Sequence, residues 1–465
     1  MARGTGQCAG RAARAEPSLP VQYIPNSSPN APAPLSRRLR QPLERFVQIE
    51  AASGVVLLAV TALALIWANS PWGAAYEALW DLPVRFGFGD HEWEVTLHFI
   101  VNDWLMTVFF LVVGLEIRRE LHDGALSDVR RAIIPLMAAT GGVIAPALIY
   151  LALAGNEELG RGWAIPTATD IAFAVGVLTV LGNRVPHAAR VLLLALAVID
   201  DVIAILVIAF FYSAGIDGTG LLIAAAGVAA VFIWQWLGVR SALAYVLPGA
   251  VVWMGLLRAG IHPTLGGVVL GLLTPVMVPT TRERLLDMAF RALEDVRERI
   301  SRTTHESRVL APHVQRLKEA QRELIPPVVR VEMALHPWVA YGIMPLFAFA
   351  NAGVRLDGLH FGEGATTLVT FAIAIALVLG KPLGIVTSTW LTVRSGLGAL
   401  GPGLPWRGVL LVGCLGGIGF TMSIFIANLA FPDTALLGAA KFAVLAGSSI
   451  AGVVGLLLGR FVLFR

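Results

Sequence analysis

The chain has 465 residues, of which 56% are hydrophobic and only 14% charged, and its formal net charge is +4. A soluble domain carries about 25% charged residues, so the composition excludes an ordinary soluble protein, and arginines scattered between apolar runs give no signal for nucleic acid. Two cysteines, Cys8 and Cys414, one in the N-terminal segment and one in an apolar run, exclude a disulfide framework or a thiolate metal centre.

Residues 1–42 are rich in Ala, Arg, Pro and Ser and lack the apolar core of a signal peptide, so they read as a disordered tail. Spanning helices need about 20 mostly apolar residues. That ruler finds twelve candidates, near 50–69, 98–117, 132–154, 162–182, 189–212, 219–237, 241–258, 263–279, 335–353, 366–390, 408–430 and 436–459. They form a membrane part over 43–280 and a second over 331–465, separated by the polar stretch 281–330. That insert mixes both charge signs with Leu, Ala and Val at helical intervals, and it reads either as an amphipathic cytoplasmic helix or hairpin or as a solvated linker. Residues 83–97 alternate apolar and polar around Gly89-Asp90, the pattern of a small external β-hairpin. With the N-terminus inside, Arg118, Arg119, Arg130, Arg131, Arg184, Arg190 and Arg240 fall on the cytoplasmic side. The opposite side receives only Arg85, Arg161, Arg258 and Arg355. The bias of basic residues thus places both termini in the cytoplasm.

Four ionisable residues fall deep inside these spans: Asp170, Asp200, Asp201 and Lys381. A charge at the centre of a membrane helix costs roughly 2.5–3.5 kcal/mol on insertion scales, so the four must face a protein interior or a watery cavity and compensate one another. The adjacent pair Asp200-Asp201 is the most telling, because a lock between helices needs one acid, whereas a cation site or proton path can use two. Successive helix residues point about 100° apart, so the two carboxylates cannot share one point. A division of labour follows, one mainly binding cation and the other alternating between cation and Lys381. The chain has three lysines against thirty-two arginines, and a buried lysine can release its proton where arginine cannot.

Asp170 lies in WAIPTATDIAFAVG, where Pro166 removes a backbone donor and Thr167 and Thr169 can bond freed carbonyls, the pattern of an interrupted membrane helix. Gly413, Gly416, Gly417 and Gly419 in VGCLGGIGFTMSIFI suggest a second interruption, with close glycine packing of an unbroken helix as the alternative. Such paired breaks mark the binding site of secondary transporters. Asp170 would then balance the positive half-helix ends near their crossing.

The segments VNDWLMTVFFLVVGLEIRREL, WAIPTATDIAFAVG, LALAVIDDVIAI, HPWVAYGIMPLFAFANAGV, GKPLGI and GGIGFTMSIFI, in this order, resemble the NhaA-type sodium/proton antiporters of bacterial membranes. The resemblance implies an all-α polytopic membrane protein of about twelve spans, with inverted repeats and two crossed, interrupted helices. It implies electrogenic exchange of Na⁺ or Li⁺ for protons by alternating access in the plasma membrane, with transported ions and no cofactor. It further implies Asp201 as principal cation ligand, Asp200 as its partner and counter-ion to Lys381, Thr169 as an auxiliary ligand and Asp170 as compensator of helix dipoles. Alkaline activation through a cytoplasmic cluster of acids and histidine would fall on Glu116, Glu120, Glu332 and His262. A homodimer contact would fall on residues 83–97. Trp104, Pro263, Met333, the long insert and the tail depart from the family pattern.

Two rival classes fit less well. An intramembrane aspartyl protease also needs two acids, but on facing helices; the string Gly87-Phe88-Gly89-Asp90 lies in a polar loop. A passive cation channel would conduct Na⁺ without moving protons. An ATP-driven pump is excluded, since no phosphate-binding GxxxxGK[ST] loop exists and Gly380-Lys381-Pro382 is not one.

Overall fold

The computed structural model describes residues 35–463 except 89–90, 125–128, 157, 214, 216, 240, 277–325 and 358–363. The first 34 residues and nearly all of the insert expected at 281–330 lie outside the described residues. Two compact units are distinguished, Met1–Arg45 and Phe46–Arg465, and every helix after α1 lies in the second. Helix is assigned from Leu35, within the last residues of the stretch 1–42.

The chain is built almost entirely from apolar helices. After α1 (Leu35–Ala68) and the short α2 (Gly73–Trp80), strands β1 (Pro83–Phe88) and β2 (His91–Thr96) pair antiparallel, with Val84 opposite Val95 and Arg85 opposite Glu94. The hairpin read from the sequence is therefore present. There follow α3 (Leu97–His122), α4 (Ala132–Ala154), the interrupted α5 (Gly160–Leu181), α6 (His187–Phe211) and α7 (Gly218–Trp236). Next come α8 (Ala242–Arg258), α9 (Leu265–Leu273), α10 (Pro327–Asn351) and α11 (Gly364–Arg394). The series closes with α12 (Trp406–Gly416), α13 (Phe420–Ala430) and α14 (Thr434–Phe461).

Among the described residues eight helices are long and apolar enough to cross a membrane, or ten if each bent pair counts as one. The remaining two of the twelve candidates correspond to α8 and to α9, whose nine residues are too few to span alone. Short helices at membrane depth are tolerated where protein surrounds them, and α9 packs closely on α3. A Cβ on Gly267 would sit 2.1 Å from the Thr107 carbonyl oxygen.

Burial sorts the helices. In α6, 72% of the most apolar window is buried, against 22% in α7, so α6 is central and α7 presents Leu222, Phe232 and Trp236 to lipid. Helices α4 and α11 meet at glycines: a Cβ on Gly384 would lie 2.1 Å from the Gly141 carbonyl oxygen. That approach fixes the depth and rotation of α11, which carries Lys381. Immediately before Lys381 the helix widens into a π turn, Ala376–Gly380, a feature frequent at functional sites.

Candidate functional site

Two spans are broken at the same depth and cross there. The first half of α5 is a 3₁₀ segment, Gly160–Thr167; extended backbone follows at Ala168, and the α-helical half restarts at Ile171 with Asp170 as its N-cap. The second break separates α12 from α13, which bend by 44°. The Asp170 amide donates to the Ile418 carbonyl at 2.7 Å, tying the two breaks together. The alternative of an unbroken, glycine-packed second helix is thereby set aside.

Asp170 joins the positive ends of both half-helices. Its Oδ1 accepts from the Phe173 amide at 3.0 Å. Its Oδ2 accepts from the Thr421 amide at 3.1 Å and from the Thr421 hydroxyl. Each helix start leaves orphan amides that attract negative charge, and one carboxylate serves both. Across the crossing, Ser448 of α14 accepts from the Gly419 and Phe420 amides at 3.2 and 3.0 Å, and the Ser423 hydroxyl donates to the Ile165 carbonyl at 2.7 Å.

Asp200 and Asp201 follow one another on α6 and are 1% and 3% exposed. They face different surroundings, as the 100° rotation per residue requires. Lys381, fully buried, donates from Nζ to Asp200 Oδ2 at 2.6 Å and to Thr169 Oγ1 at 2.7 Å. The Thr169 hydroxyl lies 2.6 Å from Asp200 Oδ2 and 3.0 Å from the Gly416 carbonyl; having one hydrogen, it donates to one of them at a time. Asp201 instead lines a cavity of about 60 Å³ shared with Glu116, Thr169, Asp170, His336, Met344 and Met422, room for a few waters.

The distribution of unmet hydrogen bonds is informative. Asp200 Oδ1 and Asp201 Oδ1 are buried and have no hydrogen-bond partner among the described residues. An unpaired buried acceptor costs roughly 1–3 kcal/mol, more when charged, so these oxygens call for a cation or a proton. Hard carboxylate and hydroxyl oxygens suit a small hard cation.

A second cluster lies on the side of the cavity where Glu116 stands. Arg119 of α3 meets Glu116 at 3.9 Å, Glu120 at 3.4 Å and, in a closer pair, Glu332 of α10. The sequence expectation groups these acids with His262, and the structure does not bring His262 to them. His262 sits in the turn before α9, at the opposite end of α3, 2.7 Å from the Thr264 hydroxyl and 3.9 Å from Asp103. Burial pushes its imidazole down to about 4, which leaves it neutral at pH 7. The histidine that does share the cavity with Glu116 is His336, which the sequence reading passed over together with Arg119, Thr421 and Ser448. Arg119 was read only as a charge flanking a span. Thr421 and Ser448 have no distinguishing sequence signal, since neutral polar residues are common in membrane helices.

The model of the family described as Na⁺/H⁺ antiporter 1 matches residues 44–458. Among curated relatives, an Na⁺/H⁺ antiporter NhaA of Cupriavidus necator is 56% identical over 425 residues, 91% of each chain. An Na⁺/H⁺ antiporter NhaA 2 of Sorangium cellulosum is 57% identical over 429 residues, 92% of each chain. One from a Janthinobacterium species is 55% identical over 441 residues, 94% of this chain and 97% of the relative. The crossed breaks, the buried aspartates and these matches agree: the chain is a polytopic membrane transporter and belongs to the Na⁺/H⁺ antiporter 1 family.

Proposed function

We propose that this protein expels Na⁺, or Li⁺, from the bacterial cytoplasm in exchange for protons, by alternating access across the plasma membrane, with Asp201 and Asp200 as the carriers. The observation that carries the reading is the pair of buried, unpartnered Oδ1 atoms on Asp200 and Asp201, beside a cavity large enough for water. In the proton-loaded form both aspartates are neutral and the site re-orients without metal. Na⁺ then displaces the protons, with Asp201 as its main ligand and Thr169 assisting. Asp200 exchanges its Lys381 partner for the cation. Two protons against one monovalent cation move net charge, so membrane voltage drives the cycle together with the pH gradient.

In this reading Asp170 holds the two half-helix ends in register and takes no part in proton exchange. The Arg119 cluster with Glu116, Glu120 and Glu332 lies beside the cavity, where its charge state can govern access and so the response to pH. The basic residues at that end of the helices support a cytoplasmic assignment for it and for both termini. A two-stranded hairpin leaves both its edges unpaired, which supports the dimer contact through residues 83–97. No cofactor enters the scheme; Na⁺, Li⁺ and H⁺ are substrates.

The test is reconstitution in liposomes with internal pH followed after addition of Na⁺, Li⁺ or K⁺. Proton movement driven by Na⁺ or Li⁺ is expected, and it becomes larger when a voltage is imposed. Sodium current without proton movement would replace the antiporter by a channel.

A further inference from the structure

The cavity beside Asp201 extends toward Glu116 and His336, and on the other side of the site two layers close the protein. The first is aromatic: Phe110, Phe347 and Phe425 are all buried, with ring centroids 5.3 Å apart for Phe110 and Phe425 and 6.2 Å for Phe347 and Phe425. The second is a ladder of asparagines from three helices. Asn351 Nδ2 donates to Asn102 Oδ1 at 2.7 Å, and Asn428 Nδ2 donates to Asn351 Oδ1 at 2.9 Å. Asn102 Nδ2 in turn lies 3.1 Å from His98 Nε2.

Position along the helices puts this ladder opposite the cavity. On α3, Asn102 precedes Glu116 by fourteen residues, about 21 Å of helix, and stands just after the β-hairpin. On α10, His336, Val339, Ala340 and Met344 line the cavity and Asn351 lies two turns beyond the last of them. On α13, Met422 lines the cavity and Asn428 lies beyond it in the same direction.

We propose that Asn102, Asn351 and Asn428 form a latch that shuts the hairpin side of the site and opens once in each transport cycle, an inference that rests on the alternating access proposed above. Three features support it. Neutral hydrogen bonds contribute only about 0.5–1.5 kcal/mol net each, so such a contact is made and broken at small cost, unlike a buried ion pair. Two of the helices carry π turns near the ladder: Ile100–Leu105 contains Asn102, and Val339–Ile343 lies between His336 and Asn351. A π turn alters the hydrogen-bond register of a helix and is frequent at functional sites. Finally, Asn428 shares the short helix α13 with Thr421, whose amide is bonded to Asp170, so displacement at the crossing is carried to the latch by a single rigid element.

The decisive experiment is a reversible cross-link. In a Cys8→Ser, Cys414→Ala background, Asn102→Cys with Asn351→Cys is reconstituted beside the unmodified protein and Na⁺-driven proton movement is followed. Before oxidation the pair exchanges; after oxidation, or bridging by a short dithiol reagent, exchange falls by about tenfold or more, because an element held in one state cannot alternate. Reduction restores it. A contact that serves only to hold the fold would tolerate the cross-link, and undiminished exchange in the bridged protein overturns the latch. Should the paired variant fail to fold, amide hydrogen exchange on the unmodified protein decides. Residues 345–354 and 426–430 are expected to exchange faster while a sodium gradient drives turnover than without it, and equal protection overturns the proposal. Unmodified protein that moves no protons with Na⁺ would remove the antiporter reading itself, an outcome separate from failure of the latch alone.

Discussion

Asp170 and Asp201 are both buried carboxylates lining one cavity, yet their surroundings differ in kind. Every bond that Asp170 makes to the helix starts closes a gap in the scaffold: the Phe173 amide, the Thr421 amide and the Thr421 hydroxyl all point at it. Asp201 Oδ1 receives no hydrogen bond among the described residues. Saturation by fixed donors makes a carboxylate part of the frame, and on the proposed reading an unsatisfied oxygen in the same cavity takes the cargo. Burial and charge alone do not separate the two roles proposed here; the number of fixed donors is what supports the distinction.

The largest effects are expected at Asp201 and its neighbours. Asp201→Asn is expected to abolish sodium-driven proton movement in liposomes while leaving the protein monodisperse and folded; full activity in that variant would contradict the assignment. Lys381→Ala comes next. Removing one partner of a buried ion pair costs about 3–5 kcal/mol, so both exchange and thermal stability should drop. Adding Asp200→Asn should return much of the stability but not the transport, which a thermal unfolding series checks.

On the frame side the effects should be smaller. Asp170→Asn keeps a good N-cap residue and removes only the charge, whereas Asp170→Ala loses the cap, worth roughly 0.5–2 kcal/mol. The alanine variant should therefore unfold at lower temperature than the asparagine variant, and both should still bind Na⁺. Equal loss of Na⁺ binding in Asp170→Asn and Asp201→Asn would erase the distinction. The weakest effect is expected at His262. Its imidazole titrates near 4, below the usual 6.5, so the neutral form prevails from about pH 5 upward. The stability it gains by being buried neutral is present above pH 6.5 and is lost as pH falls through 4. His262→Gln should accordingly leave the alkaline part of a transport pH profile in place, within about half a pH unit.

The buried cluster of Asp200, Asp201 and Lys381 is legible in the sequence for a thermodynamic reason. Two acids and a lysine in apolar runs are so costly that only a polar interior explains them, and Pro166 and the glycines near 416 announced the breaks. Much of the frame was not legible. Thr421 and Ser448 act through partners far away in the chain, and the asparagines meet across 249 and 77 residues, where periodicity carries no information. The π turn before Lys381 leaves no trace in hydropathy. Helix α9 was read as a full span because apolar residues continue past Leu273, and its nine helical residues show that a buried segment need not obey the length rule of a lipid-facing one.

In the proposed cycle Na⁺ and protons compete for Asp201 while Asp170 stays engaged with the two helix ends. The most direct test measures Na⁺ binding and proton release together on purified wild-type, Asp201→Asn and Asp170→Asn protein in detergent at alkaline pH. Binding with proton release in the wild type and Asp170→Asn, and neither in Asp201→Asn, is the predicted result. Wild-type-like binding and proton release in Asp201→Asn would contradict it.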